Sequence, residues 1–455
     1  MINIKAELKQ DILRILRERY SSEPERMEIN YTPDISMGDL ALAFPLQMAK
    51  TLKRPPREIA QEIAPLLEGL EGVARSEIAG PGYINLFLDR ERFFADKLKA
   101  AGTSTLTPEV PKIIVEHTSI NPNKAAHIGH LRNSVLGDTL VRCLQHKGEN
   151  IEIQNYIDDT GVQVADVVFG FQEMEKKSLD EIKAIPGKFD YYCWDLYTQT
   201  TRFLEENPEA QQQKAEILKK IEEGKGTEAE IGAHVSRRIL KAHLKTMHRL
   251  DITYDLQACE SSIIALKFWD KAFSLLKEKG GLYFVEEGEH KGCWVMKLEE
   301  GPEQEKIIVR SNGIVTYTGK DIAYQLWKFG LLDKDFYYEP FVEQDGRTIW
   351  ITTGRSTDHT PEFGNGHRVY NVIDTRQSYP QKIVAQGLKS LKYLKEAENS
   401  IHFSYEMVAL SPESLQELGL VVSEEDQDKD FHEVSGRKGV GVKADDLLDR
   451  LEHKA

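Results

Sequence analysis

The stretch Lys112-Ile113-Ile114-Val115-Glu116-His117, followed by His127-Ile128-Gly129-His130, decides how this chain is read. The first run is apolar and β-branched, which predicts a buried strand. Behind the tetrapeptide, Leu131, Val135, Leu136, Leu140, Val141 and Leu144 recur at helical spacing, and Gly148 can close that helix. A second strand is expected over 151–157. Strand, loop, helix and strand in this order form a βαβ unit with a right-handed crossover. The loop after the first strand opens at the carboxyl edge of a parallel sheet, where α/β folds take ligands. Backbone N–H groups of the helix's first turn attract anions there. Two imidazoles add hydrogen bonds for phosphate, and Gly129 leaves room for a nucleotide base. The position suits ATP.

At 455 residues the chain is expected to form two or three domains with ample buried cores. Its 40% hydrophobic and 29% charged content belongs to an ordinary globular protein. Residues 1–17 read as a charged amphipathic helix, not a signal peptide, and no stretch is apolar enough to cross a bilayer. Cys143, Cys193, Cys259 and Cys293 are scattered and form no C-x-x-C pair. Buried or free thiols in a reducing cytoplasm are expected, and no zinc. His243 and His248 lack metal-ligand spacing and read as surface or packing residues. A net charge of −15 opposes nonspecific nucleic-acid binding, although a local basic patch can act inside an acidic whole. Residues 50–57 form one such cluster, and Arg237, Arg238, Lys241, Lys245 and Arg249 form a row on one expected helix. A solvated helix face explains either cluster equally well.

Three segments follow from the pattern. Residues 1–105 form a small α+β domain, with helices at 3–19, 38–52 and 56–69 before a strand at 83–88. Pro108 and Pro111 mark a linker into an α/β domain with a parallel sheet, residues 109–425, interrupted at about 172–250 by a charged helical insertion. Residues 426–455 hold a Gly-rich basic loop and the start of a helix. Within the α/β domain strands are expected at 281–285, 294–296, 307–310, 315–317 and 368–374. Residues 338–366, rich in polar and turn residues, read as an irregular excursion.

The run from Glu116 through Asn121-Pro122-Asn123-Lys124 and His127-Ile128-Gly129-His130 to Leu131-Arg132-Asn133 resembles the active-site entry of arginyl-tRNA synthetases. The "HIGH" tetrapeptide alone marks class I synthetases and their nucleotidyltransferase relatives; the flanking residues narrow it to one specificity. Residues 316–324, Thr-Tyr-Thr-Gly-Lys-Asp-Ile-Ala-Tyr, match a second block, and Thr375-Arg376-Gln377 a weaker third. The resemblance implies a Rossmann-type catalytic domain, preceded by an added domain that touches tRNA. It also implies a two-step reaction in which arginine and ATP give arginyl-adenylate and the arginyl group passes to tRNA(Arg). Mg2+ accompanies ATP, and a cytoplasmic monomer without prosthetic group is expected.

By the same resemblance Glu116 and Asp321 are the acidic residues for the guanidinium, whose rigid fork of donors suits carboxylates. Tyr317 lies one turn before Asp321 and faces the same pocket if a helix starts there. Asn121 would hold the substrate's α-amino or carboxylate group, and Gln377 would line the arginine pocket. His127 and His130 would stabilise phosphate charge. Taken singly these residues have plainer readings: the histidines as helix caps or core, Asp321 as an N-cap, Tyr317 and Gln377 as packing or surface.

Two departures stand out. The family's "KMSKS" loop corresponds to Glu433-Val434-Ser435-Gly436-Arg437, so Glu433 and Gly436 replace the two lysines. In family members with such a loop, a lysine before the first motif substitutes, and Lys124 occupies that place. Lys124, with Arg437 and Lys438, is therefore expected to neutralise the phosphates. The family also continues into a helical anticodon-binding domain, and nothing of that length follows Lys438. A truncated chain or standalone paralogue is expected, and arginine activation in this family generally needs bound tRNA. The alternatives to a ligase are a catalytically weak tRNA-binding paralogue and a tRNA-independent nucleotidyltransferase.

Overall fold

The computed structural model describes residues 2–24, 26–100, 110–298, 305–313, 315–417, 431–433 and 441–454. It divides into two compact units, residues 1–105 and 106–455. In the first, α1 (Ile2–Tyr20) places Leu8, Ile12 and Leu16 on one buried stripe. It is followed by β1 (Ile29–Tyr31), β2 (Leu40–Leu42), α2 (Phe44–Leu52), α3 (Pro56–Leu67), β3 (Val73–Ala79), β4 (Tyr83–Leu88) and α4 (Arg90–Ala100). The strands form an antiparallel sheet in the order β1-β2-β4-β3. The helix expected over 38–52 is divided. Leu40 and Leu42 alternate inward and pair with β4, so period two wins there, and the helix starts only where Pro45 tolerates its first turn.

The second unit opens with β5 (Lys112–Glu116), α5 (Ile128–His146) and β6 (Asn150–Ile157), the expected βαβ unit. Ile113, Ile114 and Val115 are fully buried, as a central parallel strand covered on both faces requires. Next come α6 (Val162–Phe169), α7 (Leu179–Lys183), α8 (Phe189–Glu206), α9 (Ala210–Glu223) and α10 (Gly226–His248), which share an apolar core around Phe169, Phe171 and Val235. The chain returns through β7 (Leu256–Cys259), α11 (Glu260–Ala265), α12 (Phe268–Glu278), β8 (Tyr283–Phe284), β9 (Trp294–Lys297), β10 (Glu305–Val309) and α13 (Tyr317–Lys328). Then follow β11 (Tyr337–Gln344), β12 (Arg347–Thr353), β13 (Arg368–Asp374), α14 (Ser378–Ser390), α15 (Leu394–Asn399), β14 (Ser400–Tyr405), β15 (Ala409–Leu410), α16 (Pro412–Glu417), β16 (His432–Glu433) and α17 (Ala444–Lys454).

Seven strands make the main sheet, in the order β11-β12-β7-β6-β5-β13-β14. All neighbours are parallel except β11 and β12. From β5 the chain winds one way to β6 and β7 and later the other way to β13 and β14. The crevice beyond the carboxyl ends of β5 and β13 is thus the topological switch point of the sheet.

Two sequence expectations fail in this unit. Residues 338–366 are not irregular throughout: β11 and β12 form a hairpin whose turn, Asp345-Gly346, has both φ angles positive, at 51° and 76°. Asp-Gly flanked by strand formers is a strong hairpin signal, masked here by the polar residues around it. A strand over 315–317 reduces to one bridge between Val309 and Val315, because Thr316 starts α13 as its N-cap. Asp321 therefore lies inside that helix and is not its cap.

Helix α5 presses on the end of β5 at Gly137, where a Cβ would lie 2.3 Å from the Cβ of fully buried His117. Gly137→Ala should destabilise the protein by about 1–3 kcal/mol through overpacking. Urea unfolding should show a lower midpoint at unchanged slope.

Candidate active site

The tetrapeptide closes the amino end of α5. His127 is the N-cap; its Nδ1 accepts from the Gly129 N–H at 3.1 Å, and Nδ1 of His130 accepts from the His127 N–H at 3.2 Å. The plain reading of these residues as caps is thus realised, and it serves the site. A ring nitrogen that accepts from an N–H carries no proton, so each neutral imidazole keeps its proton on Nε2 as a donor. Burial, then Lys124, pushes His127 down to about 4; burial and the His127 ring hold His130 well below the usual range. The rings stack with centroids 3.6 Å apart.

Both rings line a cavity of about 590 Å3 at the switch point, walled on one side by Thr118 and Ser119 beyond β5 and on the other by Ile373 and Asp374 of β13. Lys124, Asn121, Gly129 and Gln377 line it too. At Gly129 a Cβ would lie 3.0 Å from the His127 ring, so the missing side chain makes room for the cap itself. Lys124 is 6% exposed, with Nζ 4.6 Å from the Tyr197 ring centroid, and its carbonyl is held by the buried His243 at 2.7 Å. His243 is therefore a packing residue. Asn123, which the sequence reading passed over, is 1% exposed, lines the cavity, and leaves both amide atoms without a hydrogen-bond partner.

Glu116 and Asp321 do not line this cavity; they meet in a partly buried acidic cluster. Asp321 is raised to about 7 by burial and by the neighbouring Glu260 and Glu116, against Lys328 and Lys320. Glu116 is paired with Lys328, Nζ to Oε2 2.5 Å, and that ammonium also donates to Asn371 at 2.9 Å and to Gln325 at 3.3 Å. Glu260 accepts from Tyr156, Thr160 and Lys320 at 2.6, 3.0 and 2.6 Å. Lys328 lies two helical turns from Asp321, so the spacing along α13 could have found it; Glu260 carried no such signal.

Gln377, which ends the short turn after β13, lines the cavity beside the imidazoles. Tyr317 opens α13 one turn before Asp321, as expected, but its side chain lies outside the described residues, as do Arg437 and Lys438. Beyond them Val442 accepts from the Ile128 N–H at 3.0 Å, and Ala444 donates to Ala126 at 2.8 Å. A second cavity, of about 600 Å3, shares Asn121 with the first and adds Asp158, which burial, Glu260 and Asp159 raise to about 7. Three cations of the row on and just after α10 are engaged internally: Arg237 with Glu339, Arg238 with the Ile182, Lys183 and Ile185 carbonyls, and Arg249 with Asp445, Asp449 and Glu452. All four cysteines are free, and among the described residues no helix is long and apolar enough to cross a membrane.

A helix start closed by paired imidazoles at the switch point of a parallel sheet fits the class I aminoacyl-tRNA synthetases and their nucleotidyltransferase relatives, and the family comparison decides for the synthetases. Residues 3–88 match the family model of the arginyl tRNA synthetase N terminal domain, and residues 95–338 that of the class I (R) tRNA synthetase catalytic domain. The arginine–tRNA ligase of Thermococcus sibiricus is 36% identical over 480 residues, covering 100% of this chain and 71% of its own length. That of Pyrococcus furiosus is 35% identical, with 100% and 71% covered. The arginyl-tRNA synthetase structure from Thermus thermophilus superposes with a TM-score of 0.76 at 29% identity, covering 99% of this chain and 69% of that one. The chain belongs to the arginine–tRNA ligase family, and its reaction is the ATP-dependent joining of arginine to tRNA.

Breaking a buried ion pair on one side leaves the other charge uncompensated. Lys328→Met should therefore cost about 3–5 kcal/mol of stability. Urea unfolding should show this as a lower midpoint at unchanged slope.

Proposed function

We propose that the imidazole-lined cavity takes the ATP phosphates and the acidic cluster takes the arginine guanidinium, with Asn121 between them. The observation that carries this reading is the charge balance around Asp321. The carboxylates of Glu116, Asp321 and Glu260 face the ammonium groups of Lys320 and Lys328, an excess of one negative charge that suits a monocation. Buried acceptors left unpaired by an uncharged analogue would reject it strongly. Asn121, which lines the imidazole cavity, would hold the α-amino or carboxylate group of arginine while its carboxylate meets the α-phosphate.

In this reading Nε2–H of His127 and of His130 donates to charge that grows on the phosphates, a task of preorganised dipoles more than of bond-making. Lys124 supplies the fixed positive charge, assisted by Arg437 and Lys438, a few residues before the strand-like pairing of Val442 with Ile128. Tyr317 and Asp321 share one face of α13. Mg2+ enters with ATP as part of the substrate, and the reading invokes neither zinc nor a prosthetic group. A cytoplasmic monomer is part of the same proposal.

Arginine-dependent ATP–pyrophosphate exchange, with and without tRNA(Arg), is the direct test. Exchange that requires arginine and tRNA supports the ligase; no exchange under either condition favours a tRNA-binding paralogue, and exchange indifferent to arginine a nucleotidyltransferase. His127→Ala should lower kcat about 100–1000-fold, the usual cost of one preorganised donor. Lys124→Ala with unchanged exchange would remove that lysine from the reading.

The pH dependence has a definite sign. Asp321 must be ionised to hold a guanidinium, and without arginine it is protonated below about 7. Arginine binding therefore releases a proton, and KM for arginine should rise as pH falls through 7, by up to about tenfold per unit. A KM that stays level between pH 5.5 and 8 would show that Asp321 does not carry the contact.

A further inference from the structure

Between β5 and the cavity the backbone makes a turn that L residues avoid. The Ser119 N–H donates to the His117 carbonyl at 3.0 Å across Thr118, whose φ is 76°, and Ser119 follows with φ 44°. A γ-turn of positive φ is rare and strained, and a β-branched residue at its centre more so. Such a conformation persists only where its surroundings over-determine it. Here they do. The Thr118 N–H donates to Oδ1 of Asn133 at 2.6 Å, and the Ser119 N–H is shared with Oδ1 of Asn155 at 2.8 Å. The Thr118 hydroxyl is joined to Tyr254 at 2.7 Å and Ser134 at 3.0 Å. Asn155 is 2% exposed, lines neither cavity, and donates to Gln257 directly across the sheet at 2.7 Å.

Resting on the synthetase reading, we propose that Asn155, with Asn133, is a positioning residue: it clamps the Thr118–Ser119 turn and so aims the segment from Asn121 to His127 at the substrates. The turn sets the direction in which the chain leaves the sheet, and Ser119, Asn121, Asn123, Lys124 and His127 all line the cavity beyond it. Small misplacements of such groups cost rate more than affinity when the reaction depends on alignment.

The test uses the full chain with tRNA(Arg) present, reading kcat and KM in arginine-dependent pyrophosphate exchange and amide hydrogen exchange at Ser119. Asn155→Ala should lower kcat about 10–100-fold with little change in KM for ATP, and should speed exchange of the Ser119 amide. Asn155→Asp keeps the acceptor for the Ser119 N–H. It also offers a carboxylate to the Gln257 amide, whose Nε2 has no partner and can turn toward it. That variant should stay within a fewfold of the parent. Ser119→Gly makes the left-handed conformation free of strain, so added to Asn155→Ala it should return much of the lost kcat. The proposal is overturned if Asn155→Ala keeps the parent kcat and Ser119 protection. It is equally overturned if Asn155→Asp is as impaired as Asn155→Ala, or if Ser119→Gly leaves the loss unrelieved. A parent chain without arginine-dependent exchange would count against the synthetase reading alone, and Ser119 protection in Asn155→Ala would then still decide the clamp.

Discussion

The amino end of α5 is closed by two imidazoles in place of the usual hydroxyl or carboxylate cap, and the rest of the site depends on that substitution. A serine or aspartate there would satisfy the helix equally well and present an acceptor to the crevice. Histidine satisfies it through one ring nitrogen and leaves the other as a donor. Because burial keeps both rings neutral, the crevice gains directed N–H groups without a mobile charge, while Lys124 provides the fixed one. On the proposed reading, cap and phosphate donor are the two nitrogens of one ring.

Charge is arranged differently in the acidic cluster. Burial first, and then repulsion from Glu260 and Glu116, make Asp321 hold its proton to about 7. Lys320 and Lys328 remove most of that repulsion without abolishing it. Above about pH 7 one negative charge remains in excess, and on the proposed reading a guanidinium meets it, so that one electrostatic balance bears on both stability and choice of substrate.

The βαβ unit was legible from residues because its signals are local: β-branched residues in β5, helical periodicity in α5, and a motif at their junction. Tyr317 and Asp321 could be picked out from a matching block, whereas the start of α13 at Tyr317 was only conditional in the sequence, which predicts a strand over 315–317. Which side chains Gln377 stands beside was not legible, because its position depends on how β13 ends beside β5, a contact between strands far apart in the chain. The β11–β12 hairpin was missed for a related reason, since one of its strands is fixed by pairing with β7. Glu260 and Asn155 carry no local mark at all; each acquires its role from a partner about a hundred residues away.

The order of residues settled which chemistry is available: paired imidazoles before a helix, acidic residues at a strand end and on a helix face, and a lysine in front of the tetrapeptide. It could not settle which of those groups are already spoken for. That Lys328 neutralises Glu116 and that Thr118 is held in a strained turn by Asn133, Asn155 and Tyr254 depend on contacts between residues far apart in the chain. Burial then gives those contacts their energy, because in a dry interior a charge or amide must find its partner within the protein.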